Sequence, residues 1–178
     1  MNQVLMYYDC EVIDFLSSSG FTILKNGVIK PSKQKHDEKS SSYYPNLNAI
    51  NLYALCREIS KWLNPHDFFV FCIDNYTPII EDEVEIINSI LGEKSNFKKT
   101  NGAIVRKDPK IENHIISSLS LTVYFSLIFC WNSYLFSDKT TKRRIELKDG
   151  VIIFYENEKS NESSAAIIKK FQPYDNQM

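Results

Sequence analysis

The sequence predicts a mixed α/β fold of the α+β kind, a single layered domain in which a mostly antiparallel sheet packs against helices. Three observations lead there. A helical pattern over 46–63 runs into the wholly apolar FFVFCI at 68–73, and a second helical pattern follows at once. Helix, strand and helix in that order build a layered arrangement. Asp149-Gly150 stands between the alternating segments RIELK and VIIFY, a strong short-range signal for an antiparallel hairpin. Finally, 178 residues with 43% hydrophobic content suffice for one domain that buries about 70% of its unfolded surface without a metal or disulfide staple.

Taken in order, Asp9 is a natural N-cap for an amphipathic helix carrying Val12, Ile13, Phe15 and Leu16, stopped by Ser-Ser-Ser-Gly at 17–20. Phe21 to Leu24 and Val28-Ile29 flank Asn26-Gly27, whose tolerance of positive φ suits a tight primed turn, so this segment reads as a hairpin. Residues 31–46, PSKQKHDEKSSSYYPN, lack apolar periodicity and read as an exposed, mobile loop. From Asn46 to Leu63, the residues Leu47, Ile50, Tyr53, Ala54, Ile59 and Trp62 keep helical spacing, and Asn64-Pro65 closes the segment.

After the strand at 68–73, Thr77 can cap a helix and Pro78 fits its first position. Ile80, Val84, Ile87 and Leu91 form its apolar side, and Gly92 ends it. The region of Lys98, Lys99, Arg106 and Lys107 is basic and loop-like, and Asp108-Pro109 can open a short helix. Across LSLTVYFSLIFCW, Leu119, Leu121, Val123, Phe125, Leu127, Phe129 and Trp131 take every second position. With β-branched and aromatic residues, that alternation argues for a strand, bent or broken because of its length. A competing helix would run through Ile116, Leu119, Val123 and Leu127. ENEKSNESS at 156–164 reads as a polar loop before a last short element from Ala165 to Phe171.

Composition narrows the function classes. A net charge of −1 and a pI near 6.3 announce neither nucleic-acid nor membrane binding. The longest apolar region, around 115–136, is interrupted by Ser117, Ser118, Ser120, Ser126 and Asn132, which argues against a membrane span. The start, MNQVLMYYDCEVIDF, lacks the positively charged region of a secretory signal, so a cytoplasmic location is expected. Cys10, Cys56, Cys72 and Cys130 form no CxxC pair and no Cys/His ligand pattern, and read as reduced core residues. No Gly-rich phosphate loop is present, and no cofactor is expected.

One stretch concentrates charge. In NYTPIIEDEVE at 75–85, Glu81, Asp82 and Glu85 point away from the apolar stripe of the expected helix, with Glu83 at its margin. The helix macrodipole favours carboxylates in the first turns by about 0.3–1 kcal/mol each, which is reason enough for their presence. The same face also suits docking on a basic protein surface, where opposite charge accelerates encounter. Asp74 and Tyr76, just upstream, add a carboxylate and an aromatic anchor. The candidate contact residues are therefore Asp74, Tyr76, Glu81, Asp82 and Glu85, with no catalytic or metal-ligating residue among them.

Three other readings compete. Glu146-x-Lys148 with an upstream Asp138 or Asp74 resembles the metal-dependent nuclease signature PD-(D/E)xK. Because Ile145 and Leu147 take the opposite face, the charged pair is expected to look into solvent beside the turn. The run Lys139-Thr140-Thr141-Lys142-Arg143-Arg144 offers phosphate contacts for a small nucleic-acid-binding protein. Cys72 with His66 has the composition of a nucleophile and base but no surrounding motif, and His36 and His114 lack a ligand partner.

The segments FFVFCIDNYTPIIEDEVEIINSIL at 68–91 and LTVYFSLIFCWNSYLFS at 121–137, in a Lys-, Asn- and Ile-rich chain, resemble the immunity proteins of bacterial contact-dependent growth inhibition and related polymorphic toxin systems. No residue role is carried over. The resemblance implies a non-enzymatic cytoplasmic protein that binds the C-terminal toxin domain delivered by sibling cells and blocks it stoichiometrically. Such toxins are commonly nucleases with basic substrate clefts, so the acidic helix would stand in the place of phosphate.

Overall fold

The computed structural model describes residues 8–24, 27–32, 38–47, 51–74, 80–91, 101–138, 143–157 and 163–175. In chain order these form α1 (Cys10–Ser18), β1 (Phe21–Ile23), β2 (Ile29–Pro31), β3 (Glu38–Tyr43), α2 (Leu52–Leu63), β4 (Phe68–Ile73) and α3 (Glu81–Leu91). They continue with β5 (Gly102–Arg106), α4 (His114–Ile128), β6 (Ser133–Ser137), β7 (Arg144–Lys148), β8 (Val151–Asn157) and α5 (Ser164–Asp175). β1 and β2 make a two-stranded ribbon. The remaining strands build one sheet in the order β3-β8-β7-β6-β4-β5, and every pairing is antiparallel. The fold is thus α+β, as the sequence predicts.

Local chemistry explains most boundaries. Asp9 accepts the backbone N–H of Val12 at 2.9 Å and caps α1, and Gly20, at φ +80°, takes the chain out of it. In the first hairpin, Gly27 donates to the Leu24 carbonyl at 3.0 Å and Leu24 to that of Val28 at 2.8 Å. The loop is therefore longer than a two-residue turn. Asn26 lies outside the described residues. Asn64 ends α2 in the left-handed region at φ 49°. Asp149 and Gly150, at φ 52° and 79°, make the β7–β8 turn that their dipeptide announces.

Four segments correct the sequence reading. The alternating stretch is helix α4, not a strand. At 15 residues it would extend about 50 Å as a strand, far beyond this sheet, and about 22 Å as a helix. Its alternation misleads because most of its circumference is packed, with Ile115, Leu119, Val123 and Leu127 buried in the core. Two of the interspersed hydroxyls bond back within the helix, Ser120 to Ile116 O at 2.6 Å and Thr122 to Ser118 O at 2.8 Å, whereas the buried Ser126 hydroxyl has no partner among the described residues.

The expected mobile loop at 31–46 contains the end of β2 and edge strand β3, paired with β8 from Glu38↔Asn157 to Tyr43↔Ile152. Its polar sequence, EKSSSY, suits an edge and hides the periodicity. The loop-like basic region contains β5, the other edge, with Ala103 and Val105 buried. β6, which no pattern marks, is buried at every position because both faces of the sheet are covered there. Of the four cysteines read as core residues, Cys56 and Cys72 are buried, whereas Cys10 and Cys130 are exposed.

Two apolar layers sandwich the sheet. On one face Phe69, Phe71, Leu135, Ile145, Leu147 and Phe154 pack against α2, α4 and α5 and against Ile87 of α3. On the other, Val70, Cys72, Tyr134 and Phe136 meet Tyr8, α1 residues Val12 and Leu16, and hairpin residues Phe21 and Ile29. That second layer draws its sheet residues from β4 to β6, so the β7–β8 portion of the face is left to border a cavity. Among the described residues, no helix is long and apolar enough to cross a membrane.

Candidate functional site

The cavity, about 440 Å³, lies between the β1–β2 hairpin and the exposed half of the large sheet. Register decides which side chains reach it. Cys72 pairs with Tyr134 and Tyr134 with Glu146, while Phe136 pairs with Arg144 and Arg144 with Tyr155. Side chains two residues apart share a face, so Arg144, Glu146 and Lys148 project together, opposite the core residues Ile145 and Leu147. Asp74 joins them from the end of β4, where its backbone N–H meets Asn132 O at 3.0 Å.

The polar groups form a connected set. Buried Arg144 donates both terminal nitrogens to Glu38, the Nη2–Oε2 bond measuring 2.9 Å. Its guanidinium lies 3.8 Å from the centre of the Tyr155 ring and 5.2 Å from that of Phe21. Tyr155 in turn donates its hydroxyl to Glu146 Oε2 at 2.9 Å. Burial, then the nearby Glu146 carboxylate, pushes the Tyr155 phenol up to about 12. Tyr134 is raised above its ordinary value by burial first and by Glu146 and Asp74 next, so both phenols stay protonated at neutral pH. Tyr8, in the hairpin-side apolar layer, has its hydroxyl within hydrogen-bond distance of Gly27 O, 2.6 Å, and Ile73 O, 3.2 Å.

The candidate contact residues divide between two faces. Glu81, Asp82 and Glu85 are exposed on α3, as expected, while Ile87 packs into the helix-side core and Glu83 accepts the Trp131 indole N–H at 2.9 Å. Asp74 is only 6% exposed and lines the cavity on the opposite, hairpin-side face. Tyr76, together with Thr77 and Pro78, lies outside the described residues.

No family model matches the chain. The uncharacterized protein MJ1252 of Methanocaldococcus jannaschii is 33% identical to it over 85 residues, covering 48% of this chain and 32% of that protein. The chain thus spans about a third of that relative's length. No solved structure matches.

The competing constellations fare differently. Asp74, Glu146 and Lys148 do converge on the cavity, and half-buried Glu146 does not look into open solvent as expected. Asp138 is elsewhere: its carboxylate accepts the backbone N–H groups of His66 at 2.8 Å, Asp67 at 2.6 Å and Phe68 at 3.2 Å, fixing the entry to β4. His66, Asp67 and Asp138 are close enough to share a cation, but the Asp138 oxygens are already committed to that turn. Cys72 is fully buried near the far end of β4, its thiol raised well above the usual value by burial, whereas His66 is exposed before the strand begins. The two do not form a nucleophile and base. In the basic run, Arg143 donates to Trp62 O at 2.8 Å and Arg144 is held by Glu38; Lys139 to Lys142 lie outside the described residues.

Sequence reasoning missed the Arg144–Tyr155–Glu146 row. Alternation in RIELK and VIIFY places these residues on one face, but only the pairing of β7 with β6 brings that face to Tyr134 and Asp74.

Proposed function

We propose that this chain is a toxin-neutralising immunity protein that binds a basic C-terminal toxin domain, nuclease in type, and blocks it in the cytoplasm without catalysis of its own. The observation that supports this reading is the outward placement of Glu81, Asp82 and Glu85 on a helix anchored by Ile87 and by the Glu83–Trp131 bond. An anchored row of carboxylates offers a basic surface a complement whose shape does not have to be assembled on encounter. Asp74 belongs to a separate surface, so the proposed contact centres on α3. Co-expression with the C-terminal domain of the protein encoded immediately upstream is the test, scored by survival and co-purification. Rescue with a stable complex is expected; absence of both overturns the reading. Within such a complex, Glu81→Lys, Asp82→Lys and Glu85→Lys together slow association and reduce its salt sensitivity, and unchanged binding rejects α3 as the contact.

A second reading, metal-dependent phosphodiester cleavage, gains support from the convergence of Asp74, Glu146 and Lys148 on one cavity. Two carboxylates would hold a divalent ion and the lysine would offset developing negative charge. β6 lies between β4 and β7, so the two backbones stand about 10 Å apart, and the carboxylates must reach toward each other to share an ion. Magnesium- or manganese-dependent cleavage lost in Glu146→Gln is expected on this reading; inert nucleic acid and metal-independent melting remove it.

A further inference from the structure

The charges around the cavity are sorted by depth. Asp74 is buried and Glu146 half-buried, whereas Lys30 and Lys148 are exposed at the mouth. Arg144, the one deep cation among the described lining residues, is occupied by Glu38. Lys30 and Lys148 have no ion-pair partner among the described residues, and Glu146 Oε1 has no hydrogen bond there, since Tyr155 takes Oε2. The interior therefore presents acceptors and the rim presents cations. Phe21, Tyr134, Phe136 and Tyr155 supply aromatic walls.

A simple anion entering this cleft would meet Asp74 and Glu146, and a simple cation would pass two lysines that gain nothing from it. A molecule with hydrogen-bond donors at one end and negative charge at the other satisfies both ends. Aromatic walls select a flat donor-bearing head, and the volume is in the range that takes a ligand larger than a single amino acid. We propose that this cavity binds a nucleoside monophosphate whose base carries an exocyclic amino group. The base lies against the rings, the amino group donates to Glu146 Oε1, and the phosphate meets Lys30 and Lys148. The site lies on the hairpin-side face and does not depend on the α3 contact or on metal chemistry.

Titration calorimetry of the full chain with AMP, GMP, CMP and UMP, and with adenosine, tests the proposal. Saturable binding is expected for at least one amino-bearing nucleotide, with UMP and the phosphate-free adenosine each weaker by about tenfold or more, the worth of one good polar contact. Lys148→Glu, at an exposed position, should lower nucleotide affinity while leaving adenosine affinity and the melting temperature unchanged. Failure of every nucleotide to bind at millimolar concentration overturns the assignment, as does binding of UMP equal to that of the tightest amino-bearing nucleotide, or indifference of that nucleotide to Lys148→Glu. Saturation by magnesium alone, with no nucleotide bound in its absence or presence, overturns it in favour of the metal reading. A positive result would stand even if α3 proved irrelevant to any toxin.

Discussion

Trp131 donates its indole N–H to Glu83 at 2.9 Å, and this bond fastens α3 to the turn between α4 and β6. The indole is 1% exposed and stacks on Phe129, 5.2 Å between ring centres. In Glu83→Ala the buried N–H loses its acceptor, a change worth about 1–3 kcal/mol. The melting temperature should fall by roughly 2–4 °C per kcal/mol. Glu83→Gln keeps a carbonyl acceptor and should retain most of the stability. Equal losses in the two variants would show that the bond contributes little.

The Glu38–Arg144 pair joins edge strand β3 to β7 across β8. The Arg144 side chain is 7% exposed and that of Glu38 15%, so breaking the pair leaves a buried charge uncompensated, at a cost of about 3–5 kcal/mol. Glu38→Ala should destabilise strongly in urea melts. The double variant Glu38→Ala with Arg144→Met should lose much less than the two single losses combined, because no charge then remains buried. Additive losses would mean that the pair is not coupled.

The elements legible in the sequence are those whose signals are local. Asp9 before Val12, Asn64-Pro65 and Asp149-Gly150 each act within a few residues, and each does in the structure what its chemistry implies. Elements defined by distant partners were hidden. β3 is polar because it is an edge, β6 shows no alternation because both its faces are covered, and α4 alternates by coincidence while being packed nearly all round. The site followed the same division. The exposed face of Glu81, Asp82 and Glu85 could be read from helical spacing, but the meeting of Asp74 with Glu146 needed the β4–β6–β7 order.

Thiol chemistry should report the two cysteine environments. Cys10 and Cys130 are exposed and should react quickly with an aromatic disulfide reagent in the native protein, while Cys56 and Cys72 react only after denaturation. Fast reaction of all four cysteines would contradict the packing of α2 and α1 on the sheet.

Alkaline pH should weaken the fold. Burial raises Cys56 from an ordinary 9.0 to about 12, and burial with Glu146 raises Tyr155 from 10.0 to about 12. Between those values the folded chain keeps protons that the unfolded chain releases. The unfolded state then binds fewer protons, and stability falls as pH rises. Urea midpoints should therefore be level below about pH 9 and decline above it, with a shallower decline in Tyr155→Phe. A midpoint that held steady through this range would contradict the burial of these groups.

Gly102, the first residue of β5, is required by a close approach rather than by its dihedral angles. A Cβ there would stand 2.7 Å from Tyr8 Cδ1 and 3.3 Å from Cys72 Sγ. Tyr8 cannot yield easily, because it is fully buried and its hydroxyl is tied near Gly27 O and Ile73 O. Gly102→Ala should cost about 1–3 kcal/mol through overpacking. If the clash with the ring is the cause, trimming Tyr8 should relieve it: adding Gly102→Ala to a Tyr8→Ala background should cost far less than adding it to the wild type. The same penalty in both backgrounds would place the strain at Cys72 and the β4 backbone, where the other near contacts lie.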